Sequence, residues 1–198
     1  MKECSFMKDE SKNNQGYEHI LDFQMSWVMR VAASKEIKEK NALLYEQCYN
    51  ILMKLIGKSD KDNVEVLEVH VWKQWERIDL HANVIIRSNN NEERHLVVIE
   101  DKAYTKIHDD QLNRYEKSIN EVYDNDDYLK EFKKHFWVIT FLDKDQDEDK
   151  YKKLEKTCET SNNKRWELIS FLDLLNEKLY RTPTGNDQFD DFWIYEWP

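Results

Sequence analysis

The stretch VVIEDKAYTKIHDDQLNRY, residues 97–115, decides how this chain is read. It sets Glu100, Asp101 and Lys102 directly behind the apolar run Leu96–Ile99. Charge at the mouth of a buried strand is costly unless it finds partners, so this is the first place to look for chemistry. HLVVI has no polar face, which marks a central strand covered on both sides. Downstream, DDQLNRYEKSINEVY changes to helical spacing, so the acidic strand end runs towards a helix that starts at Asp109.

Upstream, VEVLEVHVWKQW (64–75) and RIDLHANVIIR (77–87) alternate as strands. Ile78, Leu80, Ala82, Val84 and Ile86 form one face of the second strand; Arg77, Asp79, His81 and Asn83 form the other. SNNNEE (88–93) reads as the hairpin loop into the third strand. If Arg87 pairs with Arg94, Asp79 lies opposite Lys102; a register shifted by two sets it opposite Glu100. In either register Asp79, Glu100 and Lys102 share a face, and a slip of one residue would turn the apolar face outward.

The remaining elements follow the same logic. Tyr17 to Ala33 reads as a docking helix, and Lys35 to Ile56 as a second helix capped by Ser34 and stopped by Gly57. HFWVITFL (135–142) is a fourth strand, Lys144 to Cys158 a charged helix, RWELISF a short fifth strand and LDLLNEKLY a last helix. The C-terminal FDDFWIYEWP reads as an aromatic strap on the domain. The fold class is α/β: a mixed four- to five-stranded sheet flanked by helices, in one domain over 1–198. Residues 17–34 form the N-terminal docking helix, 35–175 the core and 176–198 the C-terminal aromatic extension.

Composition narrows the function. The chain has 198 residues, 35% of them charged, with three Gly and two Pro, favouring long solvated helices over an all-β fold. Cys4, Cys48 and Cys158 are scattered, so neither a disulfide framework nor a zinc site is expected. With no apolar span the expectation is a soluble, cytoplasmic protein with no membrane partner. A net charge of −10 argues against broad electrostatic wrapping of nucleic acid and leaves room for a local basic groove. No nucleophile elbow and no phosphate-cradling glycine loop occurs.

E-D-K also occurs at Glu148, Asp149 and Lys150, inside a charged helix, so the tripeptide alone means little. The first copy ends a buried strand and has Asp79 on its partner. Two carboxylates from neighbouring strands can bridge Mg²⁺, a hard cation that takes oxygen ligands and keeps waters. Lys102 beside it can orient or deprotonate an attacking water and steady charge on a phosphoryl group. The plain alternative is an ion pair or triad closing a strand end. His81 shares the face and has either a metal or proton-transfer role or a hydrogen bond to the partner strand.

R-I-D at 77–79, apolar-I-E-D-K ending at Lys102, and Q-L-N-R-Y at 111–115, in this order and spacing, resemble the PD-(D/E)XK nuclease superfamily, with the Q-x-x-x-Y of its RecB-like members. The resemblance covers about residues 36–142, and Ile78 stands where the family name has proline. It implies a restriction-endonuclease-like core (αβββαβ) and a Mg²⁺-dependent nuclease, Mn²⁺ substituting, acting on DNA more readily than on RNA. It implies Asp79, Glu100 and the Asp101 backbone carbonyl as metal ligands and Lys102 as the catalytic lysine. Gln111 and Tyr115, one helical turn apart, would flank the site. Glu46 would be an inward-leaning helix ligand, with Glu36 and Glu39 as rivals. The competing readings are a non-catalytic interaction module that keeps the fold and an RNA or nucleotide phosphodiesterase. A homodimer, or a protein partner that delivers substrate, fits either kind of nuclease.

Overall fold

The computed structural model describes residues 17–59, 63–102, 107, 110–160, 166–175 and 182–195. Five strands form one mixed sheet in the order β1-β2-β3-β4-β5: β1 (Val64–Trp75), β2 (Ile78–Ser88), β3 (Asn91–Lys102), β4 (Lys133–Thr140) and β5 (Trp166–Ser170). The first three run antiparallel as a meander, and β3, β4 and β5 run parallel. Thus β3 is the central strand. Its last eight residues are all buried, as a strand covered on both faces must be.

The loop expected at SNNNEE is shorter than its sequence suggests. Ser88 pairs with Asn91, so Asn89 and Asn90 alone make the turn, with φ of +50° and +67°. Asparagine tolerates the left-handed region, and two such residues give the turn whose twist suits a hairpin. This turn selects the register in which Leu80 faces Ile99, and continuing it brings Asp79 to Glu100.

Helices cover both faces. α1 (Tyr17–Val31), α2 (Lys35–Lys40) and α3 (Ala42–Leu55) lie on one side; α4 (Gln111–Tyr123) and α5 (Glu148–Thr160) lie on the other. The single helix expected from Lys35 to Ile56 is two, because Asn41 leaves helical conformation (φ −146°, ψ 83°). Its backbone N–H closes α2, and its side chain accepts from Leu44 N–H to open α3. The α1-side core joins Leu21, Met25 and Met29 to Ile51, Leu52, Leu80, Val97 and Ile99, and the α4-side core joins Leu96 and Val98 to Leu112, Ile119 and Phe136. Ile78, expected with Leu80, packs into the α4-side core, since the left-handed residues just before it twist the start of β2.

The helix expected at LDLLNEKLY begins as a 3₁₀ turn, Phe171–Leu174, and its remainder lies outside the described residues. The last element, α6 (Asp187–Phe189), continues as a π turn (Asp190–Ile194) that buries Phe189, Phe192 and Trp193 in the α1-side core. Buried Asp190 holds this segment, accepting from Thr184 N–H (2.8 Å), Thr184 Oγ1 (2.7 Å) and Gly185 N–H (3.0 Å). Asp190→Ala is expected to lower unfolding stability by about 1–3 kcal/mol in urea titration, the cost of leaving buried donors unmet.

Candidate active site

The end of β3 and the start of β2 meet beneath α1 and α4. Glu100 is 1% exposed, Asp101 3% and Lys102 8%, so all three charges lie within the fold. Lys102 Nζ pairs with Glu100 Oε1. Gln111, the first residue of α4, donates to the same Oε1 at 2.6 Å and to Tyr115 Oη at 2.8 Å. Gln111 and Tyr115 therefore act on the acid through one amide, as their spacing of one turn permits.

Asp79 stands where the two faces of the sheet meet. Its Oδ2 accepts from Asp101 N–H at 3.1 Å and its Oδ1 from Gln74 Nε2 at 3.2 Å. Gln74, Glu76 and Arg77 have φ of +56°, +51° and +69°, so three non-glycine residues just ahead of Asp79 sit in the left-handed region. Each costs on the order of 1 kcal/mol, and strain of this kind tends to collect at functional sites. Nothing in the letters QWER announces it.

The structure also brings in an acid that the sequence reading missed. Asp22 of α1 is buried, and its carboxyl is pushed up to about 7, first by burial and then by the charge of Asp79. Burial and then Asp79 likewise raise Glu100 to about 8, against the opposing pull of Lys102. Asp101 is driven up by burial, by Asp79, and by Asp22 and Glu18 of α1. Burial works against the Lys102 ammonium, but Glu100, Asp79 and Glu18 outweigh it and the net shift is upward. Asp22 reads in the sequence as an ordinary polar position; the one signal was its place one turn from Glu18.

Glu46 is a correction. It lies on the exposed side of α3, opposite the arc of Leu44, Gln47, Cys48 and Ile51 that enters the core, and its rivals Glu36 and Glu39 are exposed as well. The helix that reaches the acids is α1. His81 does face this side, yet it is stacked on Trp72 (centroids 4.9 Å, planes 10° apart) and packed against the tilted ring of Trp75 (5.1 Å, 60°), and burial lowers its pKa to about 4. It is a neutral ring held among aromatic side chains. The second E-D-K, Glu148 to Lys150, is exposed on α5.

Does this donor set suit a metal? Among the described residues no three His, Cys, Asp or Glu side chains converge closely enough to hold an ion as they stand. Glu100 Oε2, Asp101 Oδ2 and Asp22 Oδ1 are nevertheless buried without a hydrogen-bond partner. Crowded carboxylates raised by one another, with orphaned hard oxygens, are a surplus of negative charge that a divalent cation such as Mg²⁺ would relieve. The residues fit such a group.

The family model described as the PD-(D/E)XK nuclease superfamily matches residues 4–188. No curated protein and no solved structure matches. The five-stranded mixed sheet between helices is consistent with the restriction-endonuclease-like core. No helix among the described residues is long and apolar enough to cross a membrane.

Proposed function

Since the chain belongs to the PD-(D/E)XK nuclease superfamily, we propose that it is a divalent-metal-dependent nuclease that hydrolyses phosphodiester bonds, DNA being the first substrate to test. The observation that carries this reading is the meeting of Asp79, Glu100 and Lys102 at one strand end, with buried carboxylate oxygens left unsatisfied there. Asp79, Glu100 and the Asp101 backbone carbonyl would hold Mg²⁺, or Mn²⁺ in its place, with Asp22 as a further acid from α1. When bound, the ion supplies a water of lowered pKa and a Lewis acid for the phosphoryl oxygen.

The chain's own residues do the rest. Gln111 fixes Glu100 Oε1, so the carboxylate presents its free oxygen in one direction. The Asp101 N–H does the same for Asp79 Oδ2. Lys102 keeps its ammonium beside both acids, where a proton on Nζ can steady negative charge developing on the phosphoryl group. Tyr115 orients Gln111.

Calorimetric titration of Mg²⁺ and Mn²⁺ into wild type and Asp79→Ala, followed by assays on plasmid DNA, single-stranded DNA and RNA, tests the proposal. Binding and cleavage are expected in wild type and are expected to vanish together in the variant. If wild type binds no divalent ion and cuts none of the three, the proposal fails and the charge cluster is structural, as in an interaction module that keeps the fold.

A further inference from the structure

We infer that the outer face of the β1–β2 hairpin is a base-stacking ledge that selects single-stranded nucleic acid, an inference that rests on the nuclease reading for its role but not for its binding. Trp72 is 43% exposed on β1, the edge strand of the sheet. One ring face lies nearly parallel on His81, which in turn packs on Trp75, and His70 lies tilted at 6.2 Å. The stack holds Trp72 rigid, and the exposure is what remains open for a flat partner.

Its position ties it to the acids. Trp72 pairs with His81 across the hairpin, so the two share a face with Gln74 and Asp79, two positions further along the same strands and about 7 Å away. One ammonium belongs to this face, Lys102 beside Glu100; Lys73, the next residue of β1, lies on the opposite face over the Phe23 ring. A flat aromatic face on the same side of the sheet as the proposed phosphodiester site suits a strand whose bases are unpaired.

The charge balance weighs against the alternative mode. Duplex binding draws mainly on phosphate neutralisation, which a chain of net charge −10 supplies poorly, whereas base stacking depends little on net charge. Duplex bases are already stacked on each other and offer no face to Trp72.

The test is equilibrium binding by fluorescence anisotropy in EDTA, where no cleavage occurs. Labelled single-stranded DNA, single-stranded RNA and duplex DNA are titrated with wild type, Trp72→Ala and Trp72→Phe, each checked for folding by circular dichroism. Wild type is expected to prefer single strands, of DNA, RNA or both. Trp72→Ala should weaken that binding by about 5- to 150-fold, the range for loss of one stacked base, and Trp72→Phe should restore most of it. Equal affinity for duplex, or single-strand binding unaffected by Trp72→Ala, overturns the ledge. Trp72-dependent binding in a chain that never cleaves with Mg²⁺ upholds the ledge and sinks the nuclease reading instead. Cleavage of single strands at unchanged KM in Trp72→Ala does the reverse.

Discussion

Lys102→Ala is expected to slow Mg²⁺-dependent cleavage by about 10²–10⁴-fold in single-turnover assays, the range for loss of a positioned acid–base group. The variant should still fold. Glu100, relieved of its ammonium, is already biased towards its protonated form by burial and by Asp79, so it can take up a proton rather than remain a bare buried charge. Metal affinity should change far less than the rate, because Lys102 contributes no oxygen. A rate within threefold of wild type would leave Lys102 as an ion-pair partner only.

Glu100→Gln is expected to separate stability from function. The Glu100 carboxyl sits at about 8 in the folded chain and at its ordinary 4.5 when unfolded, so its ionisation opposes folding. Metal-free stability is therefore lost as pH rises from about 4.5 through 8, and Asp22, at about 7, adds to the same slope. His81, His95 and His135, each lowered by burial to about 4, act in the opposite sense. The unfolded chain takes up their protons below 6.5, so stability falls as pH drops from there towards 4. The carboxylate slope stands alone above 6.5. In EDTA at pH 8, Glu100→Gln should exceed wild type by a few kcal/mol in urea unfolding, and the difference should vanish below about pH 4.5, where the unfolded wild type carries the proton as well. Excess Mg²⁺ should stabilise wild type and not the variant. A variant less stable than wild type at pH 8 without metal would mean that the ion pair with Lys102 outweighs the crowding of acids.

Both expectations turn on residues that were legible in unequal degree. Glu100 and Lys102 stood out because an apolar run leads into them, and Asp79 because strict alternation puts it opposite. Those are local patterns, and the physics behind them is local. The register was not legible: SNNNEE admits several loops, and only the left-handed pair Asn89–Asn90 chooses among them. Asp22 was hidden for another reason. Its part in the site depends on α1 crossing the sheet to bury Leu21 and Met25 against Leu80 and Ile99, a contact between distant segments that helical periodicity cannot specify. Glu46 enters through the resemblance alone; the periodicity of α3 itself turns Leu44, Cys48, Ile51 and Leu52 inward and leaves Glu46 on the other side. The strain at Gln74, Glu76 and Arg77 leaves no mark in composition at all.

The two-residue turns at either end of β2 bear on how such a protein can diverge. Substitutions along β2 change what each face touches, and many can be absorbed by repacking. A change of length is different. One residue gained between Ser88 and Asn91 would rotate Asp79 away from Glu100 and bring its apolar neighbours outward, unless a bulge took up the excess as β1 does between Val66 and Glu68. Descendants of this chain should therefore drift freely in spelling within the hairpin while keeping its count of residues. Where an insertion is tolerated, a compensating bulge should be found on the strand that received it.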